Sequence, residues 1–239
     1  MSEQVSEQQW TIEPVGYIRS PYRQKFAIPR QPGLVKSAIG SIELVAPYHH
    51  PDCLRGIEDF SHLWLSFVFH ETADQGWKPL VRPPRLGGNA KKGVFATRST
   101  FRPNALGLSV VELVEVQLSP KPKLIVRGLD LLDGTPIIDI KPYLPYADAI
   151  PNARGGFADD RPSTGVVIEF SEAAEAGLRR AHAHPHLRQL ISEVLGQDPR
   201  PGYQREQNWQ KEYGMHLYHY NIKWRVQDGI ATVTQVSAE

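Results

Sequence analysis

The chain of 239 residues contains a single cysteine, Cys53. One thiol excludes an intrachain disulfide framework and a multi-cysteine zinc site, and it fits a reducing compartment. Long apolar runs are also missing. The most apolar stretch, Phe60 to Phe69, is broken by Ser61, His62 and Ser66 and is too short to span a bilayer. Neither sign of charge dominates. Lys+Arg 27 against Asp+Glu 26 leaves a net charge of +1, which excludes a uniformly basic nucleic-acid coat but not a local basic face. The opening MSEQVSEQQW is polar and acidic, so it reads as neither a signal nor a transit peptide, and a cytoplasmic protein is expected. No GxxxxGKS/T, HExxH, GxSxG or EF-hand loop occurs, and no GxGxxG follows a predicted strand, so a Rossmann dinucleotide site has no support.

What is present is an ordinary globular composition, 41% hydrophobic and 22% charged. The first 150 residues read as β-rich. Predicted strands are Thr11–Ile18, Ile39–Val45, His62–Phe69, Ser109–Leu118, Leu124–Leu131 and Ile137–Tyr143, rich in Val, Ile, Leu and aromatics. The connections SPKPK (119–123) and DGTP (133–136) are turns, too short for crossover helices. Short connections imply antiparallel neighbours, hence a barrel or curved sheet. Residues 151–165 read as a linker. Beyond it the spacing predicts helices over 171–184, with Ser171 as N-cap, and over 186–196, closed by Gly196. A hairpin follows, 216–226 and 230–236 around Gln227-Asp228-Gly229. The expected fold is mainly β: a small antiparallel β-barrel domain over 11–150 and a smaller α+β domain over 165–239.

Three segments carry candidate chemistry. In IIDIKPYLPY (137–146), strand alternation puts Asp139, Lys141 and Tyr143 on one face and Ile138 and Ile140 on the other. That is either an exposed edge strand, as Pro142 and Pro145 favour, or an acid/base face at a pocket mouth. Residues 82–102 hold six cations, Arg82, Arg85, Lys91, Lys92, Arg98 and Arg102, and no acid. Asn104 follows with a donor and an acceptor, and Gly87-Gly88 allows close backbone approach, so the segment reads either as an anion-binding loop or as an ordinary solvated one. Phe95 and Phe101 are available for base stacking or for the core. The loop FAIPRQPGL (26–34) carries Arg30 and Gln31, and His70-Glu71 ends an apolar strand, where it either lines a cleft or simply marks where the strand meets water. The run HAHPH (182–186) reads as a solvated helix end rather than a metal site, and Cys53 as a small core residue.

The stretches PVGYIRSPYRQKFAIPRQPGL, DCLRGIEDFSHLWLSFVFHE, RPPRLGGNAKKGVFATRSTFRPNALGLSVVEL and LDLLDGTPIIDIKPYLPYAD, in that order, resemble the TsaA-like (TrmO; YaeB, VirR-type) family. The resemblance spans residues 11–150 and extends to LISEVLGQDPRPGY and the final hairpin. It implies an S-adenosylmethionine-dependent tRNA methyltransferase with a small non-Rossmann barrel, working as a homodimer without a metal. The implied reaction methylates N6 of N6-threonylcarbamoyladenosine, 3′ of the anticodon in threonine tRNA. Carried onto this sequence, the cofactor-binding residues would be Pro29, Arg30, Gln31, His70, Glu71, Arg98, Leu108, Asp130, Leu131, Leu132 and Asp133. Asp139, Lys141 and Tyr143 would be catalytic. Arg82, Arg85, Lys91, Lys92, Arg102 and Asn104 would meet the anticodon stem-loop, and the C-terminal domain would extend that surface. The competing expectation is an S-adenosylmethionine-binding regulator or RNA-binding protein that transfers nothing.

Overall fold

A computed structural model describes residues 9–87, 90–160, 166–200 and 211–239. Gly88, the end of the 151–165 linker and the end of the LISEVLGQDPRPGY motif lie outside them. The first unit contains β1 (Gly16–Arg19), β2 (Ile39–Leu44), β3 (His62–Val68), a short ribbon of β4 (Leu80–Val81) and β5 (Lys92–Gly93), β6 (Leu106–Gln117), β7 (Lys123–Arg127) and β8 (Pro136–Pro142). Six of these close a barrel in the order β1-β2-β7-β6-β3-β8, every pair antiparallel. The mainly β, antiparallel-barrel expectation is correct.

Alternation along each strand builds the core. On β3, Leu63, Leu65 and Phe67 point inward and are buried, while Trp64 and Ser66 face out. They meet Ile18, Ile42, Val111, Leu124, Val126 and Ile137 inside the barrel. Gly107 on β6 lies opposite Phe67 in the ladder, and a Cβ there would fall 2.3 Å from the Phe67 ring. Only glycine lets that ring lie flat against the backbone. Gly107→Ala is therefore expected to cost about 1–3 kcal/mol through overpacking. Thermal unfolding should show the loss, and adding Phe67→Leu should recover part of it.

Four sequence expectations for this unit change. The first strand begins at Gly16 rather than Thr11, although Val15 already donates to the Ile137 carbonyl at 2.8 Å. The strand expected to run to Leu131 stops at Arg127, because Gly128 turns at φ +75° and donates to Ala38 instead. A bulge in β8 sets Phe67 opposite Ile137 and Ser66 opposite Asp139, leaving Ile138 as the extra residue. Ile137 and Ile140, not Ile138 and Ile140, therefore back the Asp139 face against the core. Cys53 is exposed, in the turn Pro51–Leu54 whose buried member is Leu54. The apolar contact expected of the cysteine is made by its neighbour.

The second unit has β9 (Val167–Phe170), β10 (Tyr213–Leu217), β11 (Tyr220–Gln227) and β12 (Ile230–Ala238) in the order β10-β11-β12-β9. Among the described residues β9 and β12 pair in parallel, with α3, α4, β10 and β11 between them in the chain, and the other two pairs of this sheet are antiparallel. The short helices α1 (His70–Ala73) and α2 (Pro145–Asp148) belong to the barrel unit, and α3 (Glu172–Arg180) and α4 (Leu187–Leu195) to this one. Ser171 caps α3 by accepting from the Ala174 amide, as expected. Asp228 and Gly229, both at positive φ, form the hairpin turn. The strand expected over 216–226 is broken by a second turn at Tyr218 (φ +54°). Because α3 ends at Arg180, His184 is not a solvated helix end. Its ring stacks on Tyr218 at 3.8 Å, and burial, then His219, lowers its pKa.

The second unit braces the first. Tyr22 bridges to Leu217, Tyr218 donates to Pro21 at 2.8 Å, and Glu193 of α4 accepts from both the amide and the hydroxyl of Ser37. Trp224, buried on β11, stacks with Tyr213 at 4.7 Å and with Phe26 at 6.4 Å. Phe26 begins the loop that walls the cavity described next.

Candidate active site

Antiparallel closure brings the ends of β1, β3 and β7 and the starts of β6 and β8 to one rim of the barrel. The segments leaving that rim enclose a cavity of about 760 Å³. It lies within the usual size range of small-molecule sites. Four segments that are distant in sequence supply its walls: residues 28–31, 69–72, 97–102 and 130–132. The outer face of β3 and β6 continues the wall through Trp64, Ser66, Leu106 and Leu108.

Each segment is held locally. Phe69 donates to the Ala105 carbonyl at 2.8 Å, and Lys25 reaches Glu71 Oε2 at 3.7 Å across the mouth. In the arginine-rich loop, Thr97 Oγ1 donates to Val94 at 2.9 Å and the Arg102 guanidinium donates to the Thr97 carbonyl at 3.1 Å. Asn104 and Ala105 are both left-handed, at φ +62° and +48°. Asparagine tolerates that conformation, so Asn104 serves the backbone turn that aims the loop at the cavity. Arg98 donates to Gln31 Oε1 at 2.5 Å and thereby joins two walls.

At the base is Asp130, a half-buried carboxylate hydrogen-bonded to Ser109. Ser109 Oγ donates to its Oδ1 at 2.7 Å. Burial raises its pKa to about 6, and the Ser109 hydrogen bond and the Arg98 charge pull it down only in part. A half-buried carboxylate with a raised pKa, facing Arg98 across a cavity, makes this rim a candidate ligand site.

Ten of the eleven expected cofactor residues line this cavity: Pro29, Arg30, Gln31, His70, Glu71, Arg98, Leu108, Asp130, Leu131 and Leu132. Asp133 does not. Its Oδ1 accepts from the Ser20 amide at 2.9 Å and its Oδ2 faces Arg23 at 3.9 Å, so it fastens the rim from behind. Arg102, expected to meet tRNA, also lines the cavity. Arg82, Arg85, Lys91 and Lys92 lie away from it around the β4–β5 ribbon, where Arg85 donates to the Asp160 carbonyl.

Asp139 and Lys141 share the outer face of β8 one strand beyond the cavity wall, and Tyr143 follows just past the strand end, where its amide donates to the His62 carbonyl at 2.9 Å. In the ladder Asp139 is opposite Ser66 and Lys141 opposite Trp64, and both partners line the cavity. The Lys141 ammonium is 3.3 Å from Asp139 Oδ2. β8 pairs with β1 only at Pro136 and Ile137, so the segment from Asp139 has one free side even though the barrel closes. Pro142 is tolerated there for that reason. Sequence reasoning missed Trp64, Ser66 and Ser109 as cavity residues. The available signal was a serine interrupting each of two otherwise apolar strands. Among the described residues no group of three or more His, Cys, Asp or Glu is placed to hold a metal, and no helix is long and apolar enough to cross a membrane.

A small antiparallel barrel carrying at one rim a cavity with arginine walls, an apolar outer shelf and a half-buried carboxylate defines a class: a non-Rossmann barrel with room for a nucleoside-sized ligand. The family models narrow it. Residues 17–149 match the tRNA-methyltransferase O N-terminal domain and residues 163–239 match the TrmO C-terminal domain. The chain belongs to the tRNA-methyltransferase O family. It is 52% identical over 219 residues to the Escherichia coli (strain K12) protein named tRNA (adenine(37)-N6)-methyltransferase, covering 91% of this chain and 93% of that one. It is 48% identical to a Pseudomonas aeruginosa protein named putative S-adenosylmethionine-dependent methyltransferase RcsF, covering 90% and 91%. A crystal structure of TrmO from Pseudomonas aeruginosa superposes with a TM-score of 0.78 at 39% identity, over 97% of this chain and 99% of that one.

Proposed function

We propose that this protein is an S-adenosylmethionine-dependent methyltransferase acting on N6 of adenosine 37 in tRNA, and that its substrate is N6-threonylcarbamoyladenosine in threonine tRNA. Membership of the family and the names of its relatives support the first part. The observation that carries the reading is the cavity itself. Its donor set fits the cofactor: Arg98 and Arg30 suit a carboxylate, Asp130 with Ser109 suits hydroxyl donors, and Leu108 and Leu131 suit an aromatic base. When bound, S-adenosylmethionine supplies an activated methyl group on a sulfonium.

The protein's part is to align the acceptor and remove one proton. The acceptor nitrogen belongs to a urea-like group whose lone pair is delocalised, so it becomes nucleophilic only as its N–H weakens. Asp139 takes that proton. Lys141, 3.3 Å away, stabilises negative charge developing on the adjacent carbonyl. Arg102 meets the threonyl carboxylate. Arg82, Arg85, Lys91 and Lys92 hold anticodon-stem phosphates, which fix position rather than sequence, and the C-terminal domain extends that surface. The anticodon loop is single-stranded, so its bases can be splayed out without melting a duplex. The enzyme works in the cytoplasm, where its tRNA is, and as a homodimer.

The test is transfer of a tritiated methyl group to tRNA from a strain lacking the enzyme, followed by mass spectrometry of the digested nucleosides. Label in N6-methyl-N6-threonylcarbamoyladenosine is expected. Cofactor binding with no label in any tRNA would support a regulator instead. For the basic ribbon, Lys91→Ala with Lys92→Ala should weaken tRNA binding and lower the slope of log affinity against log salt by about 1–2. An unaltered slope would remove these lysines from the phosphate contacts.

A further inference from the structure

The alternation of β3 leaves a tryptophan on the outside of the barrel, at the lip of the cavity. Leu63 and Leu65 on either side are buried in the core, but Trp64 is only partly covered. An indole that is only partly buried, at a strand position that a threonine could fill, asks for a reason. The surroundings hold it in one orientation. Its Nε1 donates to Asp148 Oδ2 at 3.0 Å, and the same oxygen accepts from the Leu144 amide at 2.8 Å. The polar edge of the indole is thus satisfied against α2. The Tyr143 ring lies 6.0 Å from it at 42°, and His62 continues the row 6.2 Å from Tyr143. Three aromatic rings therefore run along the outer face of β3 and β8 toward the cavity.

We propose that the face of Trp64 is the stacking wall for the acceptor adenine, an unpaired purine presented by the RNA. The inference rests on the proposed reaction and names the group that positions its acceptor. Trp64 lines the cavity, and in the ladder it is opposite Lys141, whose ammonium pairs with Asp139. A purine lying on this indole has the cavity on one side and the carboxylate one strand away on the other. Neighbouring strands are about 4.7–4.9 Å apart, so that carboxylate is within reach of an exocyclic nitrogen. Arg98 and Arg102 on the cavity wall offer cations to the phosphates of a polyanion, while Lys141 is paired with Asp139 and the indole edge with Asp148. A ring already immobilised by Asp148 loses little side-chain entropy when a base covers it. Stacking accepts any base, so discrimination for adenine comes from edge contacts and the platform supplies position.

The experiment uses the full-length protein and an anticodon stem-loop RNA with 2-aminopurine at the acceptor position. In the wild type, binding should quench the fluorescence, because the base stacks on an indole. Trp64→Leu should abolish most of the quenching and raise KM for tRNA about tenfold, while calorimetric affinity for S-adenosylmethionine stays within about twofold. Trp64→Phe should restore most of the KM, since it keeps a π-face. Absence of quenching in the wild type overturns the proposal without any variant. A Trp64→Leu protein with unchanged KM also overturns it, as does one that loses cofactor affinity while keeping RNA affinity, because the indole would then belong to the cofactor. If the wild type binds and quenches the RNA but transfers no methyl group to natural tRNA, the proposed reaction fails and the stacking site stands.

Discussion

Asp139→Asn is expected to lower single-turnover methyl transfer about 100-fold or more while leaving cofactor binding intact. The reason is the proton. Asparagine keeps the shape of aspartate and can still accept from the Ile140 amide, as Asp139 Oδ1 does at 2.9 Å. It cannot remove a proton from a urea-like nitrogen. Asp139 stands outside the cavity lining, beside Ser66, so cofactor affinity provides an internal control. Single-turnover kinetics with saturating enzyme isolates the chemical step from product release. Equal rates for the two proteins would mean that another group takes the proton. Lys141→Met should have a smaller effect, because it removes a stabilising charge and leaves the base in place.

Asp130→Asn should act in opposite directions on stability and on binding. Burial raises the pKa of this carboxyl from 3.8 to about 6, so the folded protein holds its proton more tightly than the unfolded chain does. A raised acid pKa means that stability falls as pH rises between those two values and stays reduced above the higher one. The penalty at neutral pH is about 3 kcal/mol as an order of magnitude. Relief of it should raise the thermal midpoint of the ligand-free Asn variant by about 5 °C or more at pH 8. The gain should shrink as pH falls from about 6 to 4 and approach zero only near pH 3, where the wild-type carboxyl is neutral in both states. Binding should move the other way. The Asn variant should hold S-adenosylmethionine about tenfold more weakly, because hydrogen bonds to a charged acceptor exceed those to a neutral one. Wild-type affinity should itself decline below pH 6, since about a tenth of the carboxyls remain ionised one pH unit lower. A pH-independent stability difference would mean that Asp130 is not the group titrating. Calorimetry and thermal unfolding across pH 4–8 provide both readings.

The barrel was legible because its information is local. Alternating apolar residues, short Pro/Gly connections and the Asp-Gly turns specify antiparallel neighbours without reference to anything distant. The ends of strands were less legible, since a glycine at positive φ, Gly128, or a one-residue bulge at Ile138 depends on which partner the backbone finds. Arg98, Gln31 and His70 stood out as polar residues in loops or at strand ends. Trp64 and Ser66 did not, because on a strand the inward and outward sets differ by one position, and composition does not say which of them meets a ligand.

Residue order alone was thus enough for the antiparallel class, the basic central loop and the carboxylate–lysine face of residues 139–141. Folding in three dimensions settled what no stretch of chain contains. It closed six strands so that one rim gathers residues 28–31, 69–72, 97–102 and 130–132, and it left Asp139 one strand outside that enclosure. It also half-buried Asp130 and so moved its titration toward neutrality. Periodicity is a property of neighbours along the chain, whereas cavities, desolvation and charge pairing are sums over atoms that become neighbours only when the barrel shuts.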